Sequence, residues 1–374
     1  QAMAHQTSSK TPGVAWYLGI IVLILLGTAL LRACQNETIF PEDSISYPPP
    51  GSLGCKGWDW RHPYLSALAY APDTGDANQT RLAVFAYNNL AFYDLAENKF
   101  TRCLNAPEDV LLKLSANGQN LAVSAFAGDI EIRQVSTNTR LANLSTEQTK
   151  VTELAFSPNG RYLAYLVKGS LRLWDATHPG QPPRELASGS PYRPVAFSDD
   201  GQTLALAEYE KIAQWNTWDW SEKPALPAPA ALSASPATGL RYLPDGKSLL
   251  LWNGQGFAVL DAADGREIYH WIEYTGPQEY IYHLAVSPDG RYLAVMGHIY
   301  WQGSNTKTGS RLPGSNSFLN LWRTENWQYL GQLSGDGSAL AFSPDSRTLA
   351  VNWEGKIRFM PLDELIPRLE MPEE

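Results

Sequence analysis

FSPNGRYLAYLVKGSLRLWD, Phe156 to Asp175, holds the reading that decides the fold. It opens with a tight-turn signature, Phe156-Ser157-Pro158-Asn159-Gly160. Pro sets the φ needed early in such a turn, Asn or Asp bonds the local backbone, and Gly accepts positive φ at the exit. Two strand-like runs follow, Tyr162–Leu166 and Leu171–Asp175. In the first, the small Ala164 suits a crowded layer between sheets. The same unit recurs in both directions along the chain. Its turns begin at Tyr70, Leu114, Phe156, Phe197, Tyr242, Val286 and Phe342, giving intervals of 44, 42, 41, 45, 44 and 56. Each unit carries a further strand: Ala91–Asp94, Ile130–Ile132, Leu171–Asp175, Ile212–Trp215, Phe257–Asp261, Leu319–Trp322 and Ile357–Phe359. A period near 40–45 residues with four short strands per unit is that of β-propeller blades. The expected fold is all-β, a seven-bladed propeller over 55–363.

The recurrence, and the Trp174-Asp175 dipeptide closing a third strand, resemble the WD40-type propeller family. Tyr93-Asp94 and Leu260-Asp261 are variants of the dipeptide. The Gly-His pair of that family is missing from every unit, which puts its buried His–Asp network in doubt and implies a looser, bacterial-type propeller. Similar turns occur in TolB-like periplasmic propellers, the alternative. The resemblance implies a non-catalytic interaction scaffold, because such rings offer a rigid disc with many loops. Closing the ring needs a fourth strand for the last blade, beside Ser338–Phe342, Thr348–Asn352 and Lys356–Phe359. The expected donor is Cys55–Trp60, joining the chain ends and removing an open edge; the alternative is the tail, Ile366–Glu370.

Before the repeats, Val14–Leu31 reads VAWYLGIIVLILLGTALL, without a charge. Eighteen residues at helical rise cover about 27 Å, near the hydrocarbon thickness of a bilayer. Trp16 and Tyr17 suit the headgroup layer, and Gly19 and Gly27 form a small face for helix packing. A cleaved secretory signal and a lipoprotein signal ending at Cys34 are the other readings; the length of the apolar run favours a retained anchor. The resulting plan is an N-terminal tail (1–13), a transmembrane helix (14–33), a Pro-containing linker (34–54), the propeller (55–363) and an acidic tail (364–374). The expected location is a membrane, single-pass, with the propeller on the extracytoplasmic, periplasmic side. The expected partners are the lipid bilayer and other subunits of a membrane complex, respiratory or photosynthetic.

Composition narrows the chemistry. Lys and Arg number 29 against 38 Asp and Glu, a formal charge of −9. No basic field exists to hold a phosphate backbone, so nucleic acid is not an expected partner. Three cysteines exclude a disulfide framework and a Cys-based zinc cluster. Cys55 and Cys103 are candidates for one disulfide, opposed by their placement in blades one and seven. The six histidines show no metal spacing, although His283 and His298 flank one hairpin. No G-x-S-x-G elbow, P-loop or dinucleotide fingerprint is present. The reading is therefore a non-enzyme with no cofactor, no metal site and no catalytic residue; a ligand sensor or enzyme using the central channel is the alternative.

Two irregular stretches carry the candidate sites. The interval of 56 places extra residues at 297–317, between the second and third strands of blade six. This is either a tolerated surface insertion or a docking loop anchored by Ile299, Tyr300 and Trp301, with Arg311 in the same insertion. The second stretch is 215–238, WNTWDWSEKPALPAPAALSASPAT. Here Trp218 and Trp220 are docking candidates or simply pack on the fourth blade, and the Pro/Ala half is either a loop or a rigid arm to a neighbouring subunit.

Overall fold

A computed structural model describes residues 44–45, 65–72, 80–86, 89–105, 110–115, 118–125, 128–233, 235–272, 279–300 and 315–369. Seven four-stranded antiparallel sheets follow one another: 65–105, 110–144, 151–188, 195–227, 239–272, 279–335, and 337–361 joined by 44–45. In the first six the strands lie in chain order. The first strands of neighbouring blades touch one another, so they form the inner ring and the fourth strands the rim.

The second strands explain the sequence pattern. Thr203–Ala207 is buried at every position, whereas the rim strand Arg184–Ser188 is buried at none. Strands covered by a neighbouring blade on both faces need continuous apolar runs rather than alternation. Ala83, Ala122, Ala164, Ala205, Ala294 and Ala350, all in second strands, are fully buried. The core lies in the seams between blades. Leu154, Tyr165 and Trp174 of blade three meet Ile130 and Ile132 of blade two, while Ala164, Leu166 and Leu171 meet Leu204 and Trp215 of blade four. The ring closes in the same way: Leu82, Val84 and Tyr93 of blade one pack on Ala339, Ala350 and Ile357 of blade seven.

The turn motif builds a belt on one face. The Ser157 hydroxyl donates to Asn159 Oδ1 (2.7 Å) and accepts from the Tyr162 N–H (2.8 Å). Gly160, at φ 72°, donates its N–H to the Ser157 carbonyl (2.8 Å). Ser198, Ser287 and Ser343 repeat the arrangement with Asp200, Asp289 and Asp345. In blade five Leu243 occupies the Ser position, and Ser248 at the far side of the turn donates to Asp245 instead (2.6 Å). Successive turns also join: Asn120 Nδ2 donates to the Gly160 carbonyl (3.3 Å), and the Asp289 N–H donates to Ser346 Oγ (3.0 Å).

Two expectations need correction. The outer strand of blade seven is β1 (Ser44–Ile45), paired as Ser44 with Arg358 and Ile45 with Ile357. The N-terminal side does close the ring, but from within the stretch read as a linker; 55–60 lies outside the described residues. Among the described residues the tail supplies no strand. Helix α1 (Leu362–Leu365) and a 3-10 turn (Ile366–Arg368) follow the last strand instead. Leu362 and Leu365 are buried there, and Pro367 lacks the N–H that a ladder needs.

Candidate functional site

Antiparallel strands cross the ring alternately. The motif turns therefore share one face with the turns between third and fourth strands. The hairpins between second and third strands share the other face with the connections between blades. That second, loop face carries exposed aromatics at three places. Tyr192 (69% exposed) lies between blades three and four, Tyr209 (64%) on the blade-four hairpin, and Tyr280 (51%) at the start of blade six. The sequence offers no signal for them, since a Tyr in a short polar loop has no periodicity.

Arg193 organises this face. Its guanidinium is buried and spans three segments: Nη2 donates to the Gly169 carbonyl (2.9 Å), Nε to the Ser190 carbonyl (2.8 Å), and Nη1 to Glu208 (2.8 Å). Gly169 sits at φ +76°, and a Cβ there would lie 2.0 Å from the Gly189 carbonyl oxygen, so no other residue fits. Glu208 also faces Lys211 at 3.6 Å.

Beside Glu208 opens a cleft of about 280 Å³. One side is the hairpin Glu208-Tyr209-Glu210; the other is the Pro/Ala connection through Pro229, Ala230, Leu232 and Ala237, with Leu251 of blade five at the base. That connection is not an arm reaching outward. It makes a 3-10 turn (Ala230–Leu232), and Leu232 is buried in the seam against Leu249, Leu251 and Ala258. Asn253 Nδ2 donates to the Ser235 carbonyl (3.0 Å) and Tyr209 OH to the Ser233 carbonyl (3.1 Å), which fixes the wall.

The expected docking residues disperse. Trp218 is 81% exposed but sits in a turn between third and fourth strands, on the motif-turn face. Trp220 packs edge-on against Tyr162 at 4.9 Å, within the seam of blades three and four, and serves packing. The insertion in blade six is partly strand: the second and third strands of that blade, Tyr292–Tyr300 and Ser315–Arg323, extend the hairpin, pairing Ile299 with Asn316 and Tyr300 with Ser315. The structure describes only the backbone of Ile299 and Tyr300. Trp301 and Arg311 lie outside the described residues, as do Trp16, Tyr17, Gly19 and Gly27. Among the described residues no helix is long and apolar enough to cross a membrane.

His283 and His298 do not come together. On their hairpin His298 lies opposite Tyr280 and His283 opposite Met296, and it is Tyr282 that stacks on His298 at 4.6 Å. The Ser317 hydroxyl lies 2.8 Å from His298 Nδ1 and 3.1 Å from the Gly337 carbonyl, which also accepts from Tyr282 OH. The group ties blade six to blade seven. Among the described residues no cluster of three or more His, Cys, Asp or Glu is arranged to hold a metal. Cys103 is in a disulfide; Cys34 and Cys55, the chain's other cysteines, both lie outside the described residues.

The inner ring gathers a different set. Lys113, Glu153 and His283 belong to the innermost strands of blades two, three and six. Burial pushes the Glu153 carboxyl up, against the pull of Lys113. Burial first, and the Lys113 charge second, bring His283 down to about 4, and its Nδ1 has no hydrogen-bond partner. Blades two and six are not neighbours, so Lys113 acts on His283 across the centre of the ring. The sign of the pH effect follows. His283 binds its proton less well folded than unfolded, where the pKa is about 6.5. Its contribution is fully present above pH 6.5 and is lost as the pH falls from there to about 4. Discounted for access from the channel, the loss is on the order of 1–2 kcal/mol. Thermal melts of wild type and His283→Gln across this range check it: the wild-type Tm falls more steeply, and parallel curves contradict the assignment.

The Trp-Asp dipeptide works without the family's histidine. Trp174 is buried. Burial raises the Asp175 carboxyl, but hydrogen bonds from Arg161 (3.1 and 2.9 Å) and Thr177 (2.9 Å from its N–H) outweigh it and hold the group well below the usual carboxylate range. Arg161, directly after the turn glycine, supplies the cation.

With this geometry the comparisons agree in part. Residues 138–175, the rim strand of blade two through Trp174-Asp175, match the family model "WD domain, G-beta repeat". No curated protein matches the chain in sequence. Among solved structures, a chain of Kuenenia stuttgartiensis hydrazine synthase is similar with a TM-score of 0.56 at 15% identity, over 70% of this chain and 79% of that one. A chain from a mitotic checkpoint complex is similar with a TM-score of 0.61 at 17% identity, over 86% of this chain and 94% of that one. At those identities the likeness concerns the fold. The chain is an all-β, seven-bladed propeller carrying a WD40-repeat match in its second and third blades.

Proposed function

We propose that the protein is a non-catalytic interaction subunit of a larger membrane complex, docking other subunits on the loop face of its propeller. The observation that carries the reading is the set of exposed tyrosines on that face, Tyr192, Tyr209 and Tyr280, with Tyr209 lining a preformed cleft. Amphipathic rings on rigid loops are the side chains that dominate protein interfaces. The uncharged run Val14–Leu31 supports a single-pass anchor. A disulfide at Cys103 is of the kind that persists in oxidising compartments, which supports an extracytoplasmic propeller. One chain of the same fold belongs to a multi-protein checkpoint complex.

Gentle detergent extraction of the full chain, followed by mass spectrometry, tests this. Wild type is expected to bring down stoichiometric membrane subunits. The triple variant Tyr192→Ser, Tyr209→Ser, Tyr280→Ser is expected to lose them, because interface anchors contribute about 2 kcal/mol or more each. Its own melting temperature stays within a few degrees. A wild-type monomer in detergent, or a triple variant with its partners intact, contradicts the reading.

A second reading, a ligand held in the central channel, is favoured by the meeting of Lys113, Glu153 and His283. Native mass spectrometry separates the two: a small molecule retained by wild type and released by Lys113→Met supports the channel.

A further inference from the structure

We propose that the cleft between blades four and five receives a basic side chain, Arg or Lys, carried by an extended segment of a partner protein. This deepens the interaction reading and rests on it. Three features of the cleft select the occupant.

The first is charge. Two carboxylates form one lip, Glu208 and Glu210. Glu208 is already matched by Arg193 at 2.8 Å and Lys211 at 3.6 Å. The exposed Glu210 has no ion pair among the described residues. An incoming cation therefore finds an unmatched carboxylate, and an incoming anion meets repulsion. The formal charge of −9 draws cationic segments to the same protein from a distance.

The second is the wall. Pro229, Ala230, Leu232, Ala237 and Leu251 are apolar and line the cleft. Such a wall suits the aliphatic stem of Lys or Arg, whose head stays at the polar lip. Pro229 and Pro236 have no N–H, so this wall offers few backbone donors, while the Ser233 and Ser235 hydroxyls can accept. A guanidinium, with five donors and no acceptor, complements that inventory. The ring of Tyr209 stands at the lip, held through its hydroxyl by the Ser233 carbonyl, where a planar cation can stack on it.

The third is order. The wall is fixed by the burial of Leu232 and the bond from Asn253, so the receptor stands open without a partner. A preformed site loses little entropy on docking.

The test uses fluorescein-labelled heptapeptides and the full chain in detergent. The probes are fluorescein-Ala-Pro-Ala-Arg-Ala-Pro-Ala-amide, labelled at the N-terminus, the same peptide with citrulline, and the same with Glu. Anisotropy titrations are expected to show binding of the Arg peptide, about tenfold weaker binding of the neutral citrulline isostere, and none of the Glu peptide. Glu210→Gln should bring the Arg and citrulline peptides to the same affinity. Ala230→Trp, which fills the cleft from an exposed position, should abolish binding of the Arg and citrulline peptides, with circular dichroism and melting temperature of both variants as wild type. Equal binding of Arg and citrulline peptides to wild type overturns the proposal. So does full-strength binding to the Ala230→Trp variant, or free arginine competing as well as the peptide, which would make the cleft a small-molecule site. If no peptide binds while the triple tyrosine variant still sheds its subunits, the cleft proposal falls alone and the interaction reading stands.

Discussion

Replacing Arg193 by Ala is expected to lower stability by about 3–5 kcal/mol, an effect of the size seen when one partner of a buried charge network is removed. The guanidinium is 5% exposed and satisfies the carbonyls of Gly169 and Ser190 together with Glu208. Its loss strands the Ser190 carbonyl, leaves the Gly169 carbonyl only the Gly189 N–H (2.8 Å), and leaves the partly buried Glu208 facing only Lys211 at 3.6 Å. Arg193→Lys keeps the charge but not the planar fork, and is expected to recover less than half of the loss. Guanidinium unfolding midpoints measure both. Hydrogen exchange adds a local readout: amides at 168–170 and 188–193 should exchange faster in either variant, while those of blade six stay as in wild type. A loss below about 1 kcal/mol would mean that water replaces the guanidinium and that Arg193 does not organise the loop face.

Trp322→Ala is the second large effect, about 4 kcal/mol. Trp322 is fully buried in the seam of blades five and six. It meets Phe257 edge-on at 5.2 Å, Trp271 at 5.0 Å and Tyr329 at 5.1 Å. Beside them Tyr269 stacks on Trp327 at 5.2 Å. Deleting the indole opens a cavity that rings from two blades cannot jointly collapse, since each is held on its own sheet. Trp322→Phe should recover more than half of the stability, because much of the apolar volume returns. Equal destabilisation by Ala and Phe would show that volume is not what the site requires.

How far the sequence carries can be judged from particular residues. The motif turns were legible because Pro, Asp and Gly each have a local reason to be there. The second strands were legible because burial between two blades demands a continuous apolar run such as Tyr162–Val167 with alanine at its centre. Strand β1 was not, for a two-residue strand has no period, and its pairing depends on the edge offered by Arg358 and Ile357. The Pro/Ala connection read equally well as an arm; its folding back is decided by one side chain, Leu232, finding room in the seam. Arg193 gave no signal, since its partners Gly169 and Glu208 lie 24 and 15 residues away. The candidate face was thus recognisable only as loops of a ring, and which residues stand on it came from packing. Trp218 and Trp220 show the converse: both are conspicuous aromatics, yet one sits on the other face and one in a seam.

The central claim is that the ring works by being touched on its loop face. Lysine crosslinking in native membranes tests it most directly, because lysines mark both faces. Lys168, Lys211 and Lys356 are exposed at the second-to-third-strand hairpins, and Lys99 and Lys247 at turns of the opposite face. Crosslinks to other proteins are predicted to gather on Lys168, Lys211 and Lys356. Crosslinks gathered on Lys99 and Lys247, or shared evenly between the two faces, would contradict the account.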